Sequence, residues 1–207
     1  MTRTKKVPPV AIRRISLYAR QLALLDLNNI TIVSSTELAE ACNVNSAQIR
    51  KDFAYFGEFG IRGTGYYVKD LLSELRKALG LHKQWRLVLV GAGHLGTALA
   101  GYLVSLNQGY IFVKAFDRDP EKIGRYMGSI PIFSVENLEQ ETKRIKADIG
   151  IIATNDGTAQ ECANSLIRGG VRGILNFTPV KLKPSDDIQI EQVDFSIRLD
   201  SLCYKLS

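Results

Sequence analysis

At 207 residues the chain has room for a small module beside a modest α/β domain, but not for two full-sized enzyme domains. No apolar run is long enough to suggest a membrane span, and Cys42, Cys162 and Cys203 stand far apart, outside metal-ligand spacing. A disulfide scaffold and a zinc site are therefore not expected, and the cysteines read as buried thiols. The net charge of +6 is uneven: residues 1–80 carry 12 Lys/Arg against 7 Asp/Glu, whereas residues 81–207 carry 15 against 14. A polyanion-binding surface is thus expected in the first part. The basic start, MTRTKKVPPV, lacks the apolar stretch of a secretory signal, so a cytoplasmic location is expected.

In chain order, the spacing of Ile12, Ile15, Ala19, Leu22 and Leu25 predicts a first helix, started by Pro8-Pro9 and stopped by Asn28-Asn29. Ser34 or Ser35 then caps a second helix, TELAEACNV, with Glu37 in its first turn. After the turn Asn43 to Asn45, Ser46 opens a third helix, SAQIRKDFAYF, that runs to Gly57. GEFGIRGTGYYV reads as a β-ribbon or wing, and VKDLLSELRKALG as a linker helix ending at Gly80. From Trp85 the rhythm becomes strand, turn, helix: RLVLV, GAGHLG, TALAGYLVSL, then the strands YIFVKAFD, ADIGIIATN and VRGILNF. Such alternation predicts a parallel sheet with crossover helices.

Gly91-Ala92-Gly93-His94-Leu95-Gly96 joins an apolar strand to an apolar helix, the context in which GxGxxG marks a Rossmann-type dinucleotide site. Gly91 permits the tight turn, Gly93 lets backbone approach a pyrophosphate, and Gly96 lets the helix pack closely on the strand. Asp117 ends the next strand about 20 residues on, where a carboxylate accepts from the adenine ribose hydroxyls and disfavours a 2′-phosphate. Arg118 beside it weakens that preference. Thr154 and Asn155, and Asn176 and Phe177, end later strands and are expected to line the same crevice, with Phe177 towards the nicotinamide. His82 lies in the linker and His94 in the phosphate turn, so no proton donor sits where hydride chemistry needs one. A cofactor site without room for a substrate domain points to a sensor and not to an enzyme.

The second and third helices have helix-turn-helix spacing, with Leu38, Ala39, Val44 and Ile49 between them. The third would present Ser46, Gln48, Arg50, Lys51 and Tyr55 to DNA: Ser and Gln to base edges, the others to phosphates or guanine. Arg62 in the wing, and an arm containing Arg3, Lys5 and Lys6, are expected in minor grooves.

RKDFAYFGEFGIRGTGY, VGAGHLGTALAGY, GILNFTPV and VDFSIRLDSL together resemble the Rex family of redox-sensing transcriptional repressors over nearly the whole chain. The resemblance implies a winged helix-turn-helix DNA-binding domain at 1–80, a Rossmann NAD(H)-binding domain at 81–193 and a domain-swapped C-terminal helix at 194–207. It further implies a homodimer that binds double-stranded, palindromic operator DNA, is released when NADH rather than NAD⁺ binds, and needs neither membrane nor metal. Phe195 would lie near the partner's nicotinamide, and Asp194 would alternate between Tyr102, with NADH bound, and Arg20, with DNA bound. Two other readings remain open: a small NAD-dependent oxidoreductase with a basic N-terminal module, and a winged-helix regulator binding a coenzyme A derivative.

Overall fold

The computed structural model describes residues 7–57, 59–61, 63–106, 109–183 and 188–207, and the chain divides between Lys83 and Gln84 into two units. Lys5, Lys6 and Arg62, expected on DNA, lie outside the described residues, as does Arg3.

In the first unit, helix α1 (Pro9–Leu27) starts with proline at its first position, where the missing N–H costs nothing, and buries Ala11, Ile15, Tyr18, Ala19 and Leu22 on one face. Strand β1 (Ile32–Val33) leads into α2 (Ser35–Ala41). Ser34 is the cap: the Glu37 N–H donates to its Oγ at 3.1 Å, and its own N–H donates to Glu37 Oε2 at 2.7 Å. Asn43, with φ 51°, turns the chain into α3 (Ser46–Phe53), whose cap Asn45 accepts from the Ala47 N–H at 2.7 Å. This helix is shorter than expected. Past Phe53 the backbone tightens, with Phe56 N–H bonded to Phe53 O at 2.8 Å, so Tyr55 sits in the turn beyond the helix. Packing explains the stop: the Phe53 ring meets Tyr18, Phe59 and Tyr66 edge-on at centroid distances of 5.7, 5.7 and 5.3 Å.

Strand β2 (Tyr66–Tyr67) pairs antiparallel with β1, a partner that two residues of sequence did not announce, and α4 (Val68–Ala78) follows. Leu38, Ala39 and Ile49 are buried as expected, with Val44 packed against them, and Ile15, Leu22, Leu71 and Leu75 complete the core.

The second unit contains β3 (Trp85–Val90), α5 (His94–Ser105), β4 (Tyr110–Asp117), β5 (Tyr126–Met127), β6 (Ile130–Ser134), α6 (Leu138–Ile145), β7 (Ile149–Ile152), α7 (Ala159–Arg168), β8 (Gly173–Asn176), β9 (Gln189–Gln192) and α8 (Phe195–Leu206). The seven strands run in the order β5-β6-β4-β3-β7-β8-β9, parallel except for the β5–β6 hairpin. The six parallel strands have the order of a doubly wound dinucleotide-binding sheet. Because side chains alternate along a strand, Leu87 and Leu89 of β3 face one layer with Ala100 of α5, while Val88 and Val90 face the other with Leu138, Ala163 and Leu166. Both faces are covered, which is why the strand reads as one apolar run. The β5–β6 hairpin and β9 were not anticipated. Cys42 and Cys162 are buried, but Cys203, expected to be buried, is exposed on α8, a helix without a buried residue.

Candidate functional site

The strand order reverses at β3, and a cavity of about 340 Å³ opens at the carboxyl ends of the strands there. Its lining comes from the loop after β3 (Gly91, Gly93), the end of β4 (Asp117, Arg118) and the loop after β7 (Thr154, Asn155). The helix begins inside the glycine motif, at His94, so His94, Leu95 and Gly96 form the first turn of α5 rather than part of a loop. Each glycine has a geometric reason. A Cβ on Gly91 (φ 101°) would lie 2.4 Å from Ala153 O, and one on Gly96 would lie 2.0 Å from Gly91 O, so β3, the loop and α5 could not close with side chains there. A Cβ on Gly93, by contrast, would meet nothing within 4 Å. That space lies at the N-terminus of α5, which has no side-chain cap and no acidic residue in its first turn, so its amides are open to an anion.

Asp117 is held at the lip. Its Oδ2 accepts the Ala92 N–H at 2.8 Å and faces Lys122 Nζ at 3.4 Å, while Oδ1 accepts the Asp119 N–H at 3.0 Å. Partial burial alone would raise its pKa, but the two backbone donors and the Lys122 charge outweigh it and keep the carboxyl below its usual range. Lys122, absent from the sequence reading, also lines the cavity, as do Val135, Glu136 and Cys162. Burial pushes the Cys162 thiol up, so it serves as an apolar wall.

Asn176, expected to line the crevice, has its side-chain polar atoms occupied within the fold. Its side chain is fully buried; Nδ2 donates to Val180 O and Gln192 Oε1, both at 2.8 Å, and Oδ1 accepts from Thr178 N–H and Oγ1. These bonds tie the end of β8 to β9 and to the turn at Thr178 and Val180. The next ring, Phe177, meets Phe195 of the same chain at a centroid distance of 6.2 Å. Asp194 caps α8, accepting from Ser196 N–H at 2.9 Å and Oγ at 2.6 Å, bonds that hold its carboxyl below the usual range. Tyr102 and Arg20 are both exposed.

In the first unit, Ser46 and Gln48 are half-buried, Arg50 and Lys51 exposed, and Arg50 Nη1 donates to Ser35 Oγ at 2.9 Å. Sequence reasoning missed the polar centre beneath them. Asp52, with no exposed surface, accepts Arg14 Nε at 2.6 Å, Arg14 Nη2 at 2.7 Å, Tyr18 OH at 2.9 Å and Gln48 Nε2 at 2.8 Å. Burial works to raise this carboxyl's pKa, yet the hydrogen bonds from Arg14, Gln48 and Tyr18 together bring it below its usual range. Burial also raises the Tyr18 phenol, and the bond to Asp52 raises it further. A charged residue in the middle of an amphipathic helix looks solvated in sequence; only the signal of Arg14 and Tyr18 at i and i+4 on the inner face of α1 hinted otherwise.

Among the described residues no helix is long and apolar enough to cross a membrane, and no cluster of three His, Cys, Asp or Glu could hold a metal. Residues 82–180 match the CoA binding domain family, and residues 6–54 the family described as "Putative DNA-binding protein N-terminus". The redox-sensing transcriptional repressor Rex of Syntrophobacter fumaroxidans is 45% identical over 98% of this chain and 97% of its own length. The chain belongs to the Rex family of redox-sensing transcriptional repressors. A Rex-family structure, RSP in complex with β-NAD⁺ and operator DNA, superimposes with a TM-score of 0.91 at 38% identity, covering 98% of this chain and 93% of that one. RSP in complex with β-NADH matches with a TM-score of 0.88 at 36% identity, over 98% and 95% of the two chains.

Proposed function

We propose that this chain is a cytoplasmic, homodimeric repressor that grips operator DNA through residues 1–80, holds NAD(H) in residues 81–193, and lets go of DNA when NADH binds. The observation that carries the reading is the open space over Gly93 at the uncapped start of α5, beside an ionised Asp117, at the point where the strand order reverses. Gly91 to Gly96 would cradle the pyrophosphate, Asp117 the adenine ribose, with Arg118 and Lys122 flanking it, and Thr154, Asn155 and Phe177 would line the route to the nicotinamide. The dinucleotide supplies a ring that is neutral when reduced and positively charged when oxidised. An apolar surrounding that includes Phe177 and Phe195 favours the neutral form, because burying an unpaired charge is costly.

Residues 194–207 would pack on the partner. Support comes from α8 itself, where Phe195, Ile197, Leu199, Leu202, Tyr204 and Leu206 are 51–84% exposed. On this reading Asp194 gives up its Ser196 cap to pair with Tyr102 or Arg20, and so biases two arrangements of the dimer. Ser46, Arg50, Lys51 and Tyr55 would contact DNA, joined by Lys5, Lys6 and Arg62. Ligand-linked release requires NADH to bind the released arrangement more tightly, and operator must weaken NADH binding by the same factor.

The test is fluorescence anisotropy of a palindromic operator duplex, with NAD⁺ and NADH titrated separately. NADH should weaken binding at least about tenfold, roughly 1.4 kcal/mol of coupling, and NAD⁺ much less. Equal effects of the two forms would sink the redox reading. Displacement of bound NADH by coenzyme A would favour the regulator that the CoA binding domain match evokes.

A further inference from the structure

The side-chain amide of Gln48 on α3 has two possible occupations. Reading an adenine takes both its Nε2–H and its Oε1, aimed together at one base edge. Here Nε2 donates instead to Asp52 Oδ1, one turn further along the same helix, at 2.8 Å. Asp52 has no exposed surface, so Gln48 must turn inward to reach it. The same carboxylate takes the two-pronged Arg14 fork and the Tyr18 hydroxyl, all from α1. Among the described residues, the hydrogen bonds to the Asp52 carboxylate thus come from α1 and from Gln48. Pulling Gln48 out towards DNA would strip a buried carboxylate of a donor, which is costly in a low-dielectric interior.

We infer that Asp52 is a positioning residue that clamps the DNA-facing helix α3 onto α1, and that Gln48 acts through Asp52 and reads no base. The inference deepens the proposed DNA-binding function and rests on it. It assigns base discrimination to the exposed side chains of α3, above all Arg50 and Lys51, and makes α1 and α3 one rigid body.

The experiment compares Gln48→Ala and Gln48→Glu with the native chain, on a set of operators each altered at one base pair. For Gln48→Ala the expected result is a uniform loss of affinity across the set, with discrimination at every position kept. A loss confined to one base pair, roughly 5–150-fold in discrimination as for a lost bidentate contact, would overturn the inference. Gln48→Glu sets a second carboxylate against Asp52, where the facing groups are Arg14 and Tyr18. Its operator affinity should be poor at neutral pH and recover in acid, when the introduced carboxyl can donate as the amide did. A new preference for cytosine, which donates to carboxylates, would contradict it. A reading free of DNA separates the two claims. The Gln48 side-chain amide resonances should move strongly in Asp52→Asn, whether or not any operator binds; unmoved resonances would overturn the clamp. If the native chain binds no operator, the proposed function falls, and the resonances still decide the clamp.

Discussion

In the N-terminal unit Asp52 is fully buried, and among the described residues its carboxylate accepts hydrogen bonds from Arg14, Tyr18 and Gln48. In the C-terminal unit Asp117 stays part-exposed at the lip of a cavity, restrained by the Ala92 and Asp119 amides and by Lys122. Both carboxyls are held below their ordinary range, but for opposite ends. The first closes a network around a charge and stiffens a surface. The second keeps a negative group ionised beside open amides and leaves it able to accept more bonds. The contrast teaches that a lowered carboxyl pKa does not by itself mark a ligand site; what matters is whether its donors are already complete.

The largest effect should come from breaking the closed network. Arg14→Ala leaves Asp52 charged and unpaired in the core and should cost about 3–5 kcal/mol in urea unfolding of the N-terminal unit. A cost below about 1 kcal/mol would show that water reaches the site. Next comes the glycine pair. Gly96→Ala drives a methyl group into the Gly91 carbonyl and should destabilise the sheet unit by about 1–3 kcal/mol. Gly93→Ala, in open space, should change stability by less than about 0.5 kcal/mol while lowering NAD(H) affinity by on the order of tenfold, read by calorimetry. Equal stability losses would erase the distinction between a packing glycine and a ligand-facing one.

Opening the other carboxylate should cost affinity instead of fold. Asp117→Ala should weaken NAD(H) by on the order of 10–100-fold, the worth of hydrogen bonds to a charged acceptor, with operator binding of the nucleotide-free chain unchanged. Equal losses of both would mean misfolding. The smallest effect is with pH. Both carboxyls have folded values below the unfolded one of about 3.9, so their stabilisation is complete above it and fades as pH falls through the folded values. Urea midpoints should be flat from about pH 7 to 5 and drop below about pH 4, less steeply in Asp52→Asn. An unchanged slope in that variant would remove Asp52 from the account.

Much of this was legible beforehand where the controlling forces act within a few residues. The period of apolar residues in α1, the Ser34–Glu37 cap, the GAGHLG turn and the strand YIFVKAFD are local signals, and each element stands close to its expected place. Boundaries were less legible. The α3 helix stops at Phe53, whose ring packs on Phe59 and on Tyr18 and Tyr66, the last two remote in sequence. Strands β1 and β5, of two residues each, carry too few positions for a period-two pattern, and their partners exist only in the fold.

For the candidate site the division runs the same way. Residue types and spacing alone singled out the glycines and Asp117, because a phosphate cradle is built from neighbours along the chain. The surroundings of Asn176 and Cys203 were not legible because they depend on what stands across from them: Gln192 for the first, and an unburied helix for the second. Sequence by itself therefore determined helices α1 to α5, the strands β3, β4, β7 and β8, and which loop can meet an anion, since short-range sterics and hydrogen bonding decide those. Only the tertiary structure decided which polar groups are already satisfied, since a donor and its acceptor can lie dozens of residues apart, and burial in a common core is what brings them together.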